Sequence, residues 1–184
     1  MTGERDSNPQ IDDPQGFLAR PFTEIEIGTL VENPTLDFLK WLPTIPEETG
    51  LVYIAPKWAV IKASKRGVPS WTMPKYSDVL IHSHPGGTEF FLPSPQDIMN
   101  CSPTAKNLII SSGGVTQYCA QDSMSPEELQ LLQRRMAEDN PDKDDVYLAY
   151  KFLERVGIQY SFTSWEEMDQ ETLDVLLYEN LHQY

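Results

Sequence analysis

Short runs of aliphatic, β-branched and aromatic residues, broken by turn residues, dominate the chain up to about residue 120. Phe22-Thr23-Glu24-Ile25-Glu26-Ile27 alternates with period two and ends at Gly28, which predicts a strand. Asn33-Pro34 predicts a helix start, with Asn33 as N-cap and Pro34 at the first helical position. Leu36, Leu39 and Trp41 give that helix an apolar side, and Pro43 and Pro46 stop it. Two more strands are predicted over 50–55 and 58–63, then a loop over 64–76. Ser77-Asp78-Val79-Leu80-Ile81 reads as a buried strand that runs into a Pro-Gly-Gly turn. Ser94-Pro95-Gln96-Asp97 predicts another helix start. Residues 107–111 and 115–119 form a hairpin around Gly113-Gly114.

Beyond the hairpin the period changes to that of helices. Ser125-Pro126-Glu127-Glu128 is a capping box, followed by Leu129, Leu132 and Met136 on one face. A second helix carries Val146, Tyr150 and Leu153 and ends near Gly157; a third carries Leu173, Leu176, Leu177 and Leu181. Tyr160-Ser161-Phe162 reads as a short strand between them. The order predicts an α/β or α+β single domain, a mixed β-sheet flanked by helices with a helical C-terminal extension. Residues 1–20 are polar and proline-bearing and are expected to be a flexible N-terminal arm, leaving 21–184 as the domain.

With 184 residues and 40% hydrophobic positions, the chain can bury a core. Its formal net charge of −14 argues against nucleic acid or an anionic membrane as partner. Two cysteines, Cys101 and Cys119, are too few for a disulfide scaffold and read as reduced core thiols. The start of the chain lacks a signal-peptide pattern, and no run is long and apolar enough to span a bilayer. The expectation is a soluble, cytoplasmic protein.

Chemistry concentrates in His82-Ser83-His84-Pro85 and Ser94-x-x-Asp97. Side chains two apart on a strand share a face, so His82 and His84 project together. Imidazoles and a carboxylate form the N/O donor set of a catalytic zinc with an open fourth position. Asp97, at the first turn of the next helix, supplies the carboxylate. Such a site also needs a base that is not a ligand and a donor for the oxyanion. Ser94 offers a hydroxyl, and Glu47 stands just before the second predicted strand, over 50–55. His82-x-His84 with Glu89 also fits the first metal motif of cupins, but the helical pattern sits badly with a jelly roll.

His82-Ser83-His84-Pro85 with Ser94-x-x-Asp97 resembles the JAMM motif (MPN+, JAB) of zinc metallo-isopeptidases. Glu47-Glu48-Thr49-Gly50-Leu51 matches that family's upstream Glu-x-x-Gly-Leu, which selects Glu47, with Glu48 the fallback. The likeness covers roughly residues 22–120. It implies an MPN/JAB-like fold, with one Zn2+ held by His82, His84 and Asp97. It also implies Glu47 as general acid/base and Ser94 as the residue that steadies the tetrahedral intermediate. The implied reaction is hydrolysis of a peptide or isopeptide bond at the glycine tail of ubiquitin or a ubiquitin-like protein. Trp71 or Tyr76 would then contact that substrate, because the family carries a ubiquitin-gripping insertion in this stretch. The family's serine stands eight residues after the second histidine; here the gap is ten. The rival readings are a non-catalytic MPN-type scaffold, or processing of a sulfur-carrier, viral or phage protein. Homo-oligomerisation or membership of a larger complex stays open.

Overall fold

A computed structural model describes residues 8–21, 24–63, 67–69, 72–74, 76–87, 90–119, 124–179 and 181. Among these residues eight strands form one mixed sheet: β1 (Gln10–Ile11), β2 (Glu26–Leu30), β3 (Thr49–Ile54), β4 (Lys57–Lys62), β5 (Val79–Ser83), β6 (Lys106–Ser111), β7 (Gly114–Tyr118) and β8 (Tyr160–Ser164). Their spatial order is β1-β2-β4-β3-β5-β6-β7-β8. The β1–β2 and β5–β6 pairs are parallel; the other pairs are antiparallel. Among the described residues six α-helices accompany the sheet: α1 (Pro14–Ala19), α2 (Leu36–Trp41), α3 (Pro95–Asn100), α4 (Pro126–Asp139), α5 (Asp145–Val156) and α6 (Gln170–Tyr178). The protein is therefore a mixed α+β domain. No helix among the described residues is long and apolar enough to cross a membrane.

Period two sorts the strand residues onto two faces. One face buries Leu51, Val60, Ile81, Leu108 and Ile110 against Phe17 of α1, Phe38 and Leu39 of α2, and Leu173 and Leu177 of α6. On the other face, Ile109 and Tyr118 meet Ile98 of α3, Leu129 of α4, and Phe152 and Leu153 of α5. That cover ends over the neighbouring strands. There, among the described residues, Val52, Ile61 and Leu80 meet Val68, Met73 and other non-helical residues. The boundary between the helix-covered half and this loop-covered half is a cleft.

Two expectations from the sequence need correction. Residues 10–19 are not a loose arm: β1 pairs with β2, and α1 buries Phe17 and Leu18. Asp13 caps α1 by accepting from the Gly16 N–H at 2.9 Å. Lys62, itself buried, clamps the segment by donating from Nζ to the carbonyls of Phe17 and Arg20. Residues 1–7 of the expected arm lie outside the described residues. The second correction concerns the thiols. Cys101 is half-buried, and Cys119 is exposed just past the end of β7.

The α1 contacts yield a measurable consequence. Phe17→Ala is expected to cost about 3–5 kcal/mol by the usual penalty for emptying a core aromatic site. Urea unfolding reads this directly; a loss under about 0.5 kcal/mol, the scale of a surface change, would show that the N-terminal segment adds nothing to the core.

Candidate metal centre

The centre is built on the β3–β5 register. Gly50 pairs with His82, and Leu51 with Ile81. Carried on by two residues, the same register sets Glu48 across from His84. Period two puts Glu48, Gly50, His82 and His84 on one face, the face with the cleft. Thr49 lies on the opposite face, where its N–H donates to the buried Ser83 Oγ at 2.9 Å. This bond ties the start of β3 to the end of β5 and fixes the Glu48 peptide beside the histidines.

His82 Nε2 and His84 Nε2 are 3.0 Å apart. Asp97 Oδ1 lies 3.1 Å from His82 Nε2, and Asp97 Oδ2 lies 3.3 Å from His84 Nε2. The three residues bring ligand atoms close enough to hold one metal ion. His84 Nδ1 stands 3.0 Å from the Phe90 carbonyl. A carbonyl only accepts, so Nδ1 carries the proton and Nε2 is the nitrogen left to ligate.

Asp97 is aimed by the first turn of α3. Ser94 Oγ accepts from the Asp97 N–H at 3.2 Å and donates to Asp97 Oδ2 at 2.8 Å. The Ser94 N–H donates to the same oxygen at 2.7 Å. This reciprocal capping box holds Oδ2 and leaves Oδ1 with the His82 contact. The hydroxyl proton of Ser94 is thus committed to the carboxylate. Ser94 thereby orients the Asp97 carboxylate toward the histidines.

The longer His84–Ser94 loop is held down at several points. Phe90 supplies the carbonyl for His84, and Thr116 Oγ1 donates to the Phe91 carbonyl at 2.6 Å. The Phe91 ring packs on Phe162 of β8 at 4.9 Å between centroids, and Leu92 is buried. Residues 88 and 89 of this loop, including Glu89, lie outside the described residues.

Glu48, not Glu47, lines the cleft with His82 and Asp97. Its Oε2 accepts from the Val68 N–H at 3.3 Å. Gly67, at φ +91°, makes the approach feasible: a Cβ there would stand 2.7 Å from Glu48 Oε2. Glu47 belongs to the Thr49 side of the strand, toward Lys62. Burial holds the Lys62 pKa below its ordinary value, and the charges of Glu26 and, more weakly, Glu47 offset part of this. The alternation that separates the two glutamates was readable in the sequence: Glu48 shares parity with Gly50, Val52 and the partner His82.

The electrostatics follow from the crowding. Burial disfavours charge on His84, yet the hydrogen bond and charge of Asp97, then the charge of Glu48, hold its pKa above the ordinary value. Burial also disfavours charge on Asp97, but His82 and His84 hold its carboxyl well below the usual range. Tyr118, at the cleft wall, is pushed well up by burial, then by Asp97 and Cys101. Trp71 lies outside the described residues, and Tyr76 is exposed. No family model, curated protein or solved structure matches this chain.

The His84 shift sets a pH signature. A histidine with a raised folded pKa contributes stability that is full below its unfolded value, near 6.5. That contribution is lost as pH rises through the folded value. The depressed Asp97 contributes stability above the ordinary carboxylate range and loses it as pH falls through the folded value. A histidine ligates in its neutral form, so protonation of His84 competes with an entering metal. The rise in Tm on adding metal should grow as pH increases from about 5.5 to about 8. A pH-independent rise in thermal melts would contradict this placement of the donors.

Proposed function

We propose that the protein is a zinc-dependent hydrolase of peptide or isopeptide bonds, with an MPN/JAB-like fold and a JAMM-type centre. The observation that carries the reading is the cluster of two imidazoles and one carboxylate, with a second carboxylate outside the cluster, Glu48, lining the cleft beside His82 and Asp97. The donor–donor contacts of 3.0, 3.1 and 3.3 Å fit a small tetrahedral ion such as zinc. A tetrahedral site with bonds near 2.0–2.1 Å has edges of about 3.3 Å. His82, His84 and Asp97 would hold the ion and leave one position open. Zinc bound there supplies a Lewis acid for a carbonyl and acidifies water toward neutral pH.

The chain's own residues do the rest. Glu48 accepts a proton from the attacking water at a carboxylate oxygen and returns it to the leaving amine. The Val68 N–H and the missing Cβ of Gly67 hold that carboxylate in place. Ser94 keeps Asp97 in its ligating orientation, and the Phe90 carbonyl does the same for His84. The substrate class proposed is ubiquitin or a ubiquitin-like protein joined through its glycine tail, with a sulfur-carrier fusion as the closest competing substrate. The acidic surface of the protein, net −14, favours a neutral or basic protein partner.

Paired variants test the assignment of the base. Glu48→Gln should keep its zinc and lose about 10²–10⁴-fold in cleavage rate, the usual worth of a positioned acid/base. Glu47→Gln should cleave near the native rate. The assay offers a ubiquitin-like isopeptide and a sulfur-carrier fusion side by side. Full activity in Glu48→Gln, or its loss in Glu47→Gln instead, would overturn the assignment.

A further inference from the structure

The cleft beside the metal ligands contains a polar group that the hydrolytic reading does not use. Tyr118 closes β7 and pairs with Asn107 of β6. Its ring is 5% exposed and packs with Ile98, Ile109, Leu129 and Phe152. Among the described residues its hydroxyl has no hydrogen-bond partner. Every fully buried polar side-chain atom among those residues does have one. The phenol oxygen is therefore the part of Tyr118 that reaches the cleft. A phenylalanine would fill the same apolar site without leaving a polar atom unpaired.

Of the other polar groups that line the cleft, Asn100 is exposed at its rim and can also donate, while those deeper in are occupied or of the wrong kind. Asn107 gives its amide protons to the carbonyls of Ser102 and Ala105 and accepts from the Ser102 N–H. Cys101 Sγ donates to the Ile98 carbonyl. Ser94 donates to Asp97. Glu48 and Asp97 are carboxylates, which only accept when ionised. Their charge also disfavours an anion in this space. The enclosed room, about 50 Å³, excludes a bulky side chain and admits a small group such as one carbonyl. A neutral carbonyl oxygen is the group that answers a phenolic donor in such surroundings.

We infer that Tyr118 is a substrate-binding residue whose hydroxyl donates to a backbone carbonyl of the acyl segment held beside the metal ligands. The inference rests on the proposed hydrolytic reading and adds a contact to it. Tyr118 fixes the acyl segment in the cleft while Glu48, which also lines it, handles the proton. The contact exists before bond cleavage, so its loss acts on binding more than on turnover.

The test compares zinc-loaded native protein with zinc-loaded Tyr118→Phe, using glycylglycine hydroxamate as probe in calorimetric titrations. Zinc content and Tm are measured on the same samples. Tyr118→Phe should bind the probe about tenfold more weakly, the worth of one hydrogen bond. Zinc stoichiometry should be unchanged, and Tm equal to or above the native value. Cleavage by the variant should show a raised KM with kcat largely kept. Equal probe affinity in the two proteins overturns the inference and leaves the metal centre standing. Loaded native protein that does not bind the probe overturns it as well. Native protein that takes up no zinc removes the hydrolytic reading and this inference together.

Discussion

The pairing of Gly50 with His82 is the constraint on which the site depends. A slip of one residue in this register would turn Glu48 to the opposite face and bring Glu47 to the cleft. The register is specified twice over. Leu51 and Ile81 are fully buried against α1, α2 and α6, so they cannot change face without exposing core. The Thr49 N–H is also bonded to Ser83 Oγ, a contact that exists in one register only. Core packing on one face thus sets the chemistry on the other.

A second layer of contacts aims the ligands once the strands are in place. The donors come from two separate segments, and each has its own backbone anchor. His84 is turned by the Phe90 carbonyl, whose loop is tied to Thr116 and Phe162 across the sheet. Asp97 is turned by a capping box at the head of α3. Crowding two imidazoles and a carboxylate within hydrogen-bond distance favours any shared cation, proton or metal, and leaves the pair of histidine nitrogens poised for either. The helices end where the cleft begins, which keeps the centre open on the Val68 and Met73 side.

Much of this was legible in the chain because it is written in local chemistry. The strand containing Val79 to Ile81, the Ser94 helix start, the Gly113-Gly114 hairpin and the Ser125 capping box all formed where their residues indicated. The clustering of His82, His84 and Asp97 followed from period two plus one helix turn. The misses have physical causes. Helix α1 has six residues, too few for a period to emerge, and is stabilised by Lys62, which lies far away in sequence. Helix α2 starts at Leu36 behind a Thr35 cap, so Asn33-Pro34 precedes the helix instead of opening it. Strand β2 runs through Gly28 to Leu30, because β1 and β4 supply partners on both sides. A motif spacing favoured Glu47, but strand parity and the register favour Glu48. Tyr118 carried no motif, since an unpaired hydroxyl is a property of packing alone.

The central claim is that these three side chains hold one zinc ion. Elemental analysis of the purified native protein and its Asp97→Ala variant tests it most directly. The account expects about one zinc per native chain, as a single three-ligand centre requires, and its loss or marked weakening in the variant. Native protein that stays free of zinc after zinc is supplied would contradict it, as would undiminished zinc in the variant.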